Sequence, residues 1–205
     1  MTLDKLRPLA SRAITPFVTA ATRLDISPNA ITVTSVGAAA AASYALVAAG
    51  SAPRWYAVAS VLVLLTGFLD VLDGAVARRT GTASEFGDFL DHVLDRYGDV
   101  LILGGFAVGA GRYGLGLLAV SGVLLTAYLG TQGDALGLGR IYGGLLGRAD
   151  ILVFVGVITG VATITNPTLY GPTLVEWAVG FLAVFTHVTA LQRFVWSWIE
   201  LRARE

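Results

Sequence analysis

The chain has 205 residues, of which 55% are hydrophobic and only 14% charged; 14 basic and 14 acidic residues give a formal net charge of zero. With a mean hydropathy of +0.72, it is not a disordered chain, which needs low hydrophobicity and high net charge, and it is not a soluble domain, whose interior at this length cannot hide so much apolar side chain. It has no basic excess to neutralise phosphates, which excludes a general nucleic-acid binder, and no cysteine for a disulfide, a thiolate or a Cys-based metal site.

Leu3, Leu6, Leu9, Ala10, Ala13, Phe17 and Ala20 recur at helical spacing, so residues 1–27 read as an amphipathic helix lying on the membrane surface. A loosely packed N-terminal helix is the alternative. Asp4, Lys5, Arg7 and Arg12 interrupt any signal-peptide core. Pro8, Pro16 and Pro28 punctuate this segment. Apolar stretches follow at 31–49, 55–69, 100–110, 115–129, 151–164 and 174–198. Several fall short of the ~20 residues a bilayer core needs, and reach that length only if their polar ends are helical too. The second then starts at Pro53 and runs to about Arg79. The third starts near Thr82, where Thr82, Ala83, Ser84 and Glu85 read as a capping box. The fourth continues into Gln132 and Asp134. The expected fold is a single-domain, all-α integral membrane protein: six transmembrane helices over residues 28–205, preceded by the N-terminal amphipathic surface helix.

Six spans place twelve basic residues on one side and only Arg54 and Arg112 on the other, which puts both termini in the cytoplasm. Thirteen of the fourteen acids fall on that same side, Glu176 being the exception. The positive-inside rule does not account for the acids.

Asp70 and Asp73 stand i, i+3 near the end of the second span, and Asp91 and Asp95 stand i, i+4 near the start of the third. Each pair therefore shares a helix face. Counted from the turn at Gly81, the first pair lies ~12 and ~16 Å back and the second ~15 and ~21 Å forward, at 1.5 Å per residue. Four carboxylates then meet at a similar depth, just inside the cytoplasmic membrane face. Like charges this close demand protons or a cation, and intramembrane acids are functional candidates by default. Carboxylates without His or Cys suit Mg²⁺ or Mn²⁺. Four of them suffice for two ions ~3.5–4 Å apart, the arrangement used in phosphoryl chemistry. Gly74, Ala77 and Gly87 leave room beside the acids, and Arg78 can hold a phosphate bidentately. The bland alternative is ion pairing of these acids with Arg78, Arg79 and Arg96.

The run Asp70, Asp73, Gly74, Ala77, Arg78, Gly87, Asp91 and Asp95 resembles the signature of the CDP-alcohol phosphotransferase family at every fixed position. The resemblance implies displacement of CMP from a CDP-linked group by an alcohol. It implies that Asp70 and Asp91 bridge two metals, that Asp73 completes one site and Asp95 the other, and that Asp95 is also the general base. It further implies that Gly74 and Arg78 contact the CDP diphosphate with Ser84 nearby, and that Asn29, Ala30, Ile31 and Thr32 help hold the nucleotide. Arg148 and Arg193 look similar to the acceptor-phosphate residues of the phosphatidylinositol-phosphate and archaetidylinositol-phosphate synthase branch. Residues 128–134 depart from that branch, because they carry no basic residue.

The expected partners are a CDP-activated lipid and a small polar alcohol such as inositol phosphate or glycerol phosphate. Competing readings are a CDP-choline-type transferase with a lipid acceptor, a prenyltransferase, and a cation or proton carrier. His92 reads as a hydrogen-bonded packing residue. Asp88 and Asp99 are either supports for the metals or packing residues. Gly105 with Gly109, and Gly156 with Gly160, permit close helix contacts within the chain, or else a homodimer. The glycines of 137–147 form either a lid over the acceptor or a flexible turn.

Overall fold

The computed structural model of the chain describes residues 7–139, 141 and 143–204, with the side chains of 7–12 outside the description. The described residues form seven α-helices: α1 (Arg7–Arg23), α2 (Pro28–Ala49), α3 (Trp55–Thr80), α4 (Glu85–Gly109), α5 (Tyr113–Ala135), α6 (Arg148–Ile164) and α7 (Leu174–Arg202). Four of them, α2, α3, α5 and α7, are long and apolar enough to cross a membrane. The 25 residues of α4 give it length but its first half is charged, and the 17 residues of α6 span only ~26 Å.

Local chemistry sets the ends. Ser27 caps α2 by accepting from the Ala30 N–H, with Pro28 in the first turn. Gly81, in the left-handed region at φ 68°, ends α3 and turns the chain towards α4. The predicted start of α4 at Thr82 moves to Glu85, because the extended Ser84 is the cap and accepts from the Gly87 N–H at 3.1 Å. Thr82 instead pairs its hydroxyl with that of Thr80. The predicted start at Pro53 moves to Trp55, with Pro53 in the preceding turn. Pro16 lies inside α1 rather than ending it.

In packing, α2 lies against both α3 and α4, α3 against α6, and α5 against α4 and α7. Small residues make this possible. A side chain on Gly109 would strike the Leu46 carbonyl of α2, and one on Gly156 would meet Leu64 of α3. The two glycine pairs thus serve contacts inside the chain. At the opposite end from the acids, Arg112 pairs with Glu176 at 2.9 Å.

α1 packs on α3 through Ile14, Val18 and Ala21, which meet Phe68, Leu72 and Val76. The expected stripe is different. Ala13, Phe17 and Ala20 are exposed, Leu3 and Leu6 lie outside the described residues, and so do the side chains of Leu9 and Ala10. Phe17 still touches the Phe68 ring edge-on. The face that meets α3 lies one residue on from that stripe, about 100° around the helix.

Candidate metal and phosphate site

α3 and α4 meet through the turn at Gly81, and α2, which packs on both, holds their acid-bearing ends together. One carboxylate oxygen from each of Asp70, Asp91 and Asp95 lies within 4.8 Å of the others. Asp91 Oδ1 is buried without a hydrogen-bond partner. An orphaned buried oxygen in an all-carboxylate group fits a hard divalent cation, which takes oxygen ligands.

Asp73 stands beside this trio and is differently held. It is 5% exposed. Its Oδ2 accepts from the Thr32 hydroxyl at 2.7 Å and its Oδ1 from the Gly74 N–H at 2.6 Å. Three of the four predicted ligands therefore converge, and the fourth is oriented by protein donors at their edge.

Two cavities flank the acids. The smaller, of about 190 Å³, is lined by Asn29, Thr32, Gly74, Arg78, Ser84 and Gly87, with Asp73 and Asp91 on its wall. It gathers most of the residues expected to hold a nucleotide. The Arg78 guanidinium lies over Gly74, where an added Cβ would stand 3.2 Å from it. Ala30 and Ile31 do not line this space: Ala30 is exposed, and Ile31 packs into the α1–α3 contact. Sequence adjacency placed them there, but the helical turn points them elsewhere. Thr32 reaches the site mainly through Asp73.

The larger cavity, of about 710 Å³, lies on the other flank, with Asp70 and Asp95 on its wall. It also exposes His92, Arg96, Asp134, Arg148 and Arg193. Arg193 is only 9% exposed, and donates from Nε to the Gly143 carbonyl and from a terminal nitrogen to the Thr126 carbonyl. Leu145 N–H donates to Gln192 and Leu146 N–H to Thr189. The glycine-rich segment is thus fastened to α7 and is not a free turn. His92 bonds the Asp88 carbonyl one helical turn back, at 2.6 Å.

Arg148 does more than line the larger cavity. Its guanidinium pairs with Asp70 at 2.6 Å, Asp95 at 2.9 Å and Asp99 at 3.0 Å. Asp99, at 5% exposed, also holds Arg96 at 3.0 Å. Asp99, expected as either a support for the metals or a packing residue, continues the acidic face of α4 by one more turn and pairs with both Arg148 and Arg96, the latter one of the arginines weighed as ion-pair partners of the acids.

The CDP-alcohol phosphatidyltransferase family profile matches residues 25–189. The chain is 34% identical to the archaetidylinositol phosphate synthase of Methanothermobacter thermautotrophicus over 204 residues, 98% of this chain and 96% of that one. It is 34% identical to the phosphatidylinositol phosphate synthase of Streptomyces avermitilis over 198 residues, 92% of this chain and 79% of that one. Among solved structures, the phosphatidylinositol phosphate synthase of Mycobacterium tuberculosis with CDP-DAG bound has a TM-score of 0.76 at 24% identity, covering 91% of this chain and 94% of that one. The same protein in complex with manganese and citrate has a TM-score of 0.75 at 24% identity, covering 90% and 88%. The structural likeness is one of fold.

Proposed function

The chain belongs to the CDP-alcohol phosphatidyltransferase family and is an integral membrane enzyme of that kind; we propose that it moves a phosphatidyl-type group, diacyl or archaetidyl, from a CDP-activated lipid to inositol phosphate, releasing CMP. One observation carries this reading. The carboxylates of Asp70, Asp91 and Asp95 stand between a small cavity lined by Gly74 and Arg78 and a larger one lined by Arg96, Arg148 and Arg193. A donor phosphate on one side and a phosphorylated acceptor on the other meet at the acids. The names of the relatives support inositol phosphate over glycerol phosphate.

Asp70, Asp73, Asp91 and Asp95 are the residues that would hold two Mg²⁺ or Mn²⁺ ions. Such ions supply charge stabilisation for the attacked phosphoryl group and acidify a nearby hydroxyl. In this reading Arg78 binds the donor diphosphate across the open face of Gly74. Asn29 and Ser84 border the same space. Asp95, which faces the larger cavity, takes the proton of the acceptor hydroxyl. Arg193 holds the acceptor's phosphate from the far wall. The absence of a basic residue in 128–134 is offset by Arg96, which projects into that cavity from α4.

In this reading α4 and α6 also cross the bilayer, the charged start of α4 being the active site itself. Both termini and the acids then face the cytoplasm, and the Arg112–Glu176 pair marks the other side. Membranes containing the chain, supplied with CDP-diacylglycerol or CDP-archaeol, should release CMP with inositol phosphate. Release with serine, glycerol or glycerol phosphate but not inositol phosphate sinks the acceptor assignment. Release only with CDP-choline and diacylglycerol sinks the donor assignment as well.

A further inference from the structure

Arg148 is the first residue of α6, next to Gly147, and its side chain reaches into the acid cluster. Its two terminal nitrogens contact Asp70 and Asp95, two of the three carboxylates that converge as a cation group. Its Nε is held separately by Asp99, which is not in that group. The same side chain borders the narrow cleft among the acids and the large acceptor cavity. The guanidinium thus sits on three carboxylates at the junction of two spaces, either of which its end can enter.

We propose that the Arg148 guanidinium and the divalent cations are alternative counter-ions of Asp70 and Asp95, so that cation loading delivers Arg148 to the acceptor cavity and the acceptor's phosphate binds after the metal. This rests on the metal and acceptor reading given above, and adds an order and a coupling to it. The charge balance favours the exchange. Asp70, Asp73, Asp91, Asp95 and Asp99 carry five negative charges, and Arg96 and Arg148 carry two positive ones. Two divalent cations convert that deficit into a positive surplus. Asp70 and Asp95 then no longer attract the guanidinium, and a phosphate in the cavity does. The planar guanidinium moves as one unit about the bonds of its stem, giving up Asp99 together with Asp70 and Asp95; Arg96 remains on Asp99, and no shift of α6 is needed. A buried arginine that loses its partners is costly unless a new anion receives it, and phosphate is a bidentate match for its fork. Because coupling is reciprocal, phosphate must also tighten cation binding.

The test uses the full chain in detergent, titrated with Mn²⁺ alone while free Mn²⁺ is followed by its paramagnetic resonance signal. Arg148→Gln should bind Mn²⁺ about tenfold more tightly than the native chain, because the competing cation is gone. Arg148→Lys, which keeps one charge but cannot bridge three carboxylates, should fall between them. Inorganic phosphate should tighten Mn²⁺ binding by the native chain and leave Arg148→Gln unchanged. Equal or weaker Mn²⁺ binding by Arg148→Gln overturns the proposal, as does phosphate binding that ignores Mn²⁺. If Arg148→Gln unfolds without cation, Arg148→Lys alone decides by the same comparison. The assay contains no lipid and no polyol, so a wrong acceptor identity leaves its result untouched. If neither chain binds Mn²⁺, the metal reading fails and this proposal fails with it.

Discussion

The hydroxyl of Thr32 on α2 donates to the Asp73 carboxylate on α3 across 2.7 Å, both residues being buried. The bond crosses 41 positions of sequence and ties α2 to the helix that carries two of the acids. It fixes one oxygen of Asp73, and the Gly74 N–H fixes the other.

Thr32→Val keeps the shape and removes the donor. Outer partners of metal ligands are worth ~10–100-fold in metal affinity or activity. Turnover should fall by about tenfold at limiting Mn²⁺, and high Mn²⁺ should recover most of it. A CMP-release assay run across Mn²⁺ concentrations separates this from a loss of nucleotide contact, which excess cation does not repair.

Asp95→Asn keeps an oxygen for a cation but cannot accept a proton as a carboxylate does. A general base contributes ~10²–10⁴-fold, so CMP release should drop by about that factor while CDP-lipid binding, followed by equilibrium dialysis, stays near native. Native-like turnover removes Asp95 from the base role. Losing Asp70 or Asp91 should instead weaken Mn²⁺ binding itself.

Much of the site was legible in the sequence because helices convert spacing into geometry. Asp91 and Asp95 had to share a face, and a short turn at Gly81 had to bring them back to Asp70. What spacing within one helix cannot state is which residue of a third helix enters the gap. Arg148 is 53 positions from Asp95 in the chain, and nothing local says that it reaches the acids rather than solvent. The same limit explains Ile31: the run from Asn29 to Thr32 looked like one unit, but four consecutive helical residues cover a full turn. Asn29 and Thr32 face the site and Ile31 faces α1. On α1, Ala13, Phe17 and Ala20, the stripe expected at the membrane surface, are exposed, while the equally regular Ile14, Val18 and Ala21 pack on α3. Periodicity alone does not choose between two adjacent apolar faces.

Gly74→Ala tests the small cavity. The new Cβ would stand 3.2 Å from the Arg78 guanidinium, which is the far end of a flexible side chain. The fold should therefore survive, with a thermal midpoint close to native, while Arg78 is displaced from the diphosphate. A charge-assisted bond is worth ~1.5–3 kcal/mol, so the KM for CDP-lipid should rise by about tenfold or more with the acceptor KM unchanged. A raised acceptor KM instead puts Arg78 on the wrong side of the acids.

Gly109→Val tests the fold away from the chemistry. A side chain there runs into the backbone carbonyl of Leu46, and backbone cannot swing aside. Overpacking costs ~1–3 kcal/mol or more when the obstacle is rigid. The variant should melt several degrees lower in detergent. Val108→Ala, next to it but exposed, should not. The outcome distinguishes a tight α2–α4 contact from a loose one.

Arg193→Lys tests the far wall. Arg193 is buried, and its fork bonds the carbonyls of Gly143 and Thr126, which lie on two different segments. Lysine keeps the charge, but a point donor on a flexible stem cannot reproduce two directed bonds at once. Two effects follow together. Thr189 and Gln192 still fasten Leu145 and Leu146, so the segment stays attached at that end. Gly143 loses its tie, and the wall of the acceptor cavity loosens beside it. The acceptor KM should therefore rise by about tenfold, the worth of one hydrogen bond to a charged group, while the KM for CDP-lipid holds. Limited proteolysis should cut near 137–144 faster than in the native chain. A matching rise in both KM values would mean that Arg193 supports the helix bundle as a whole, and would remove it from the acceptor site.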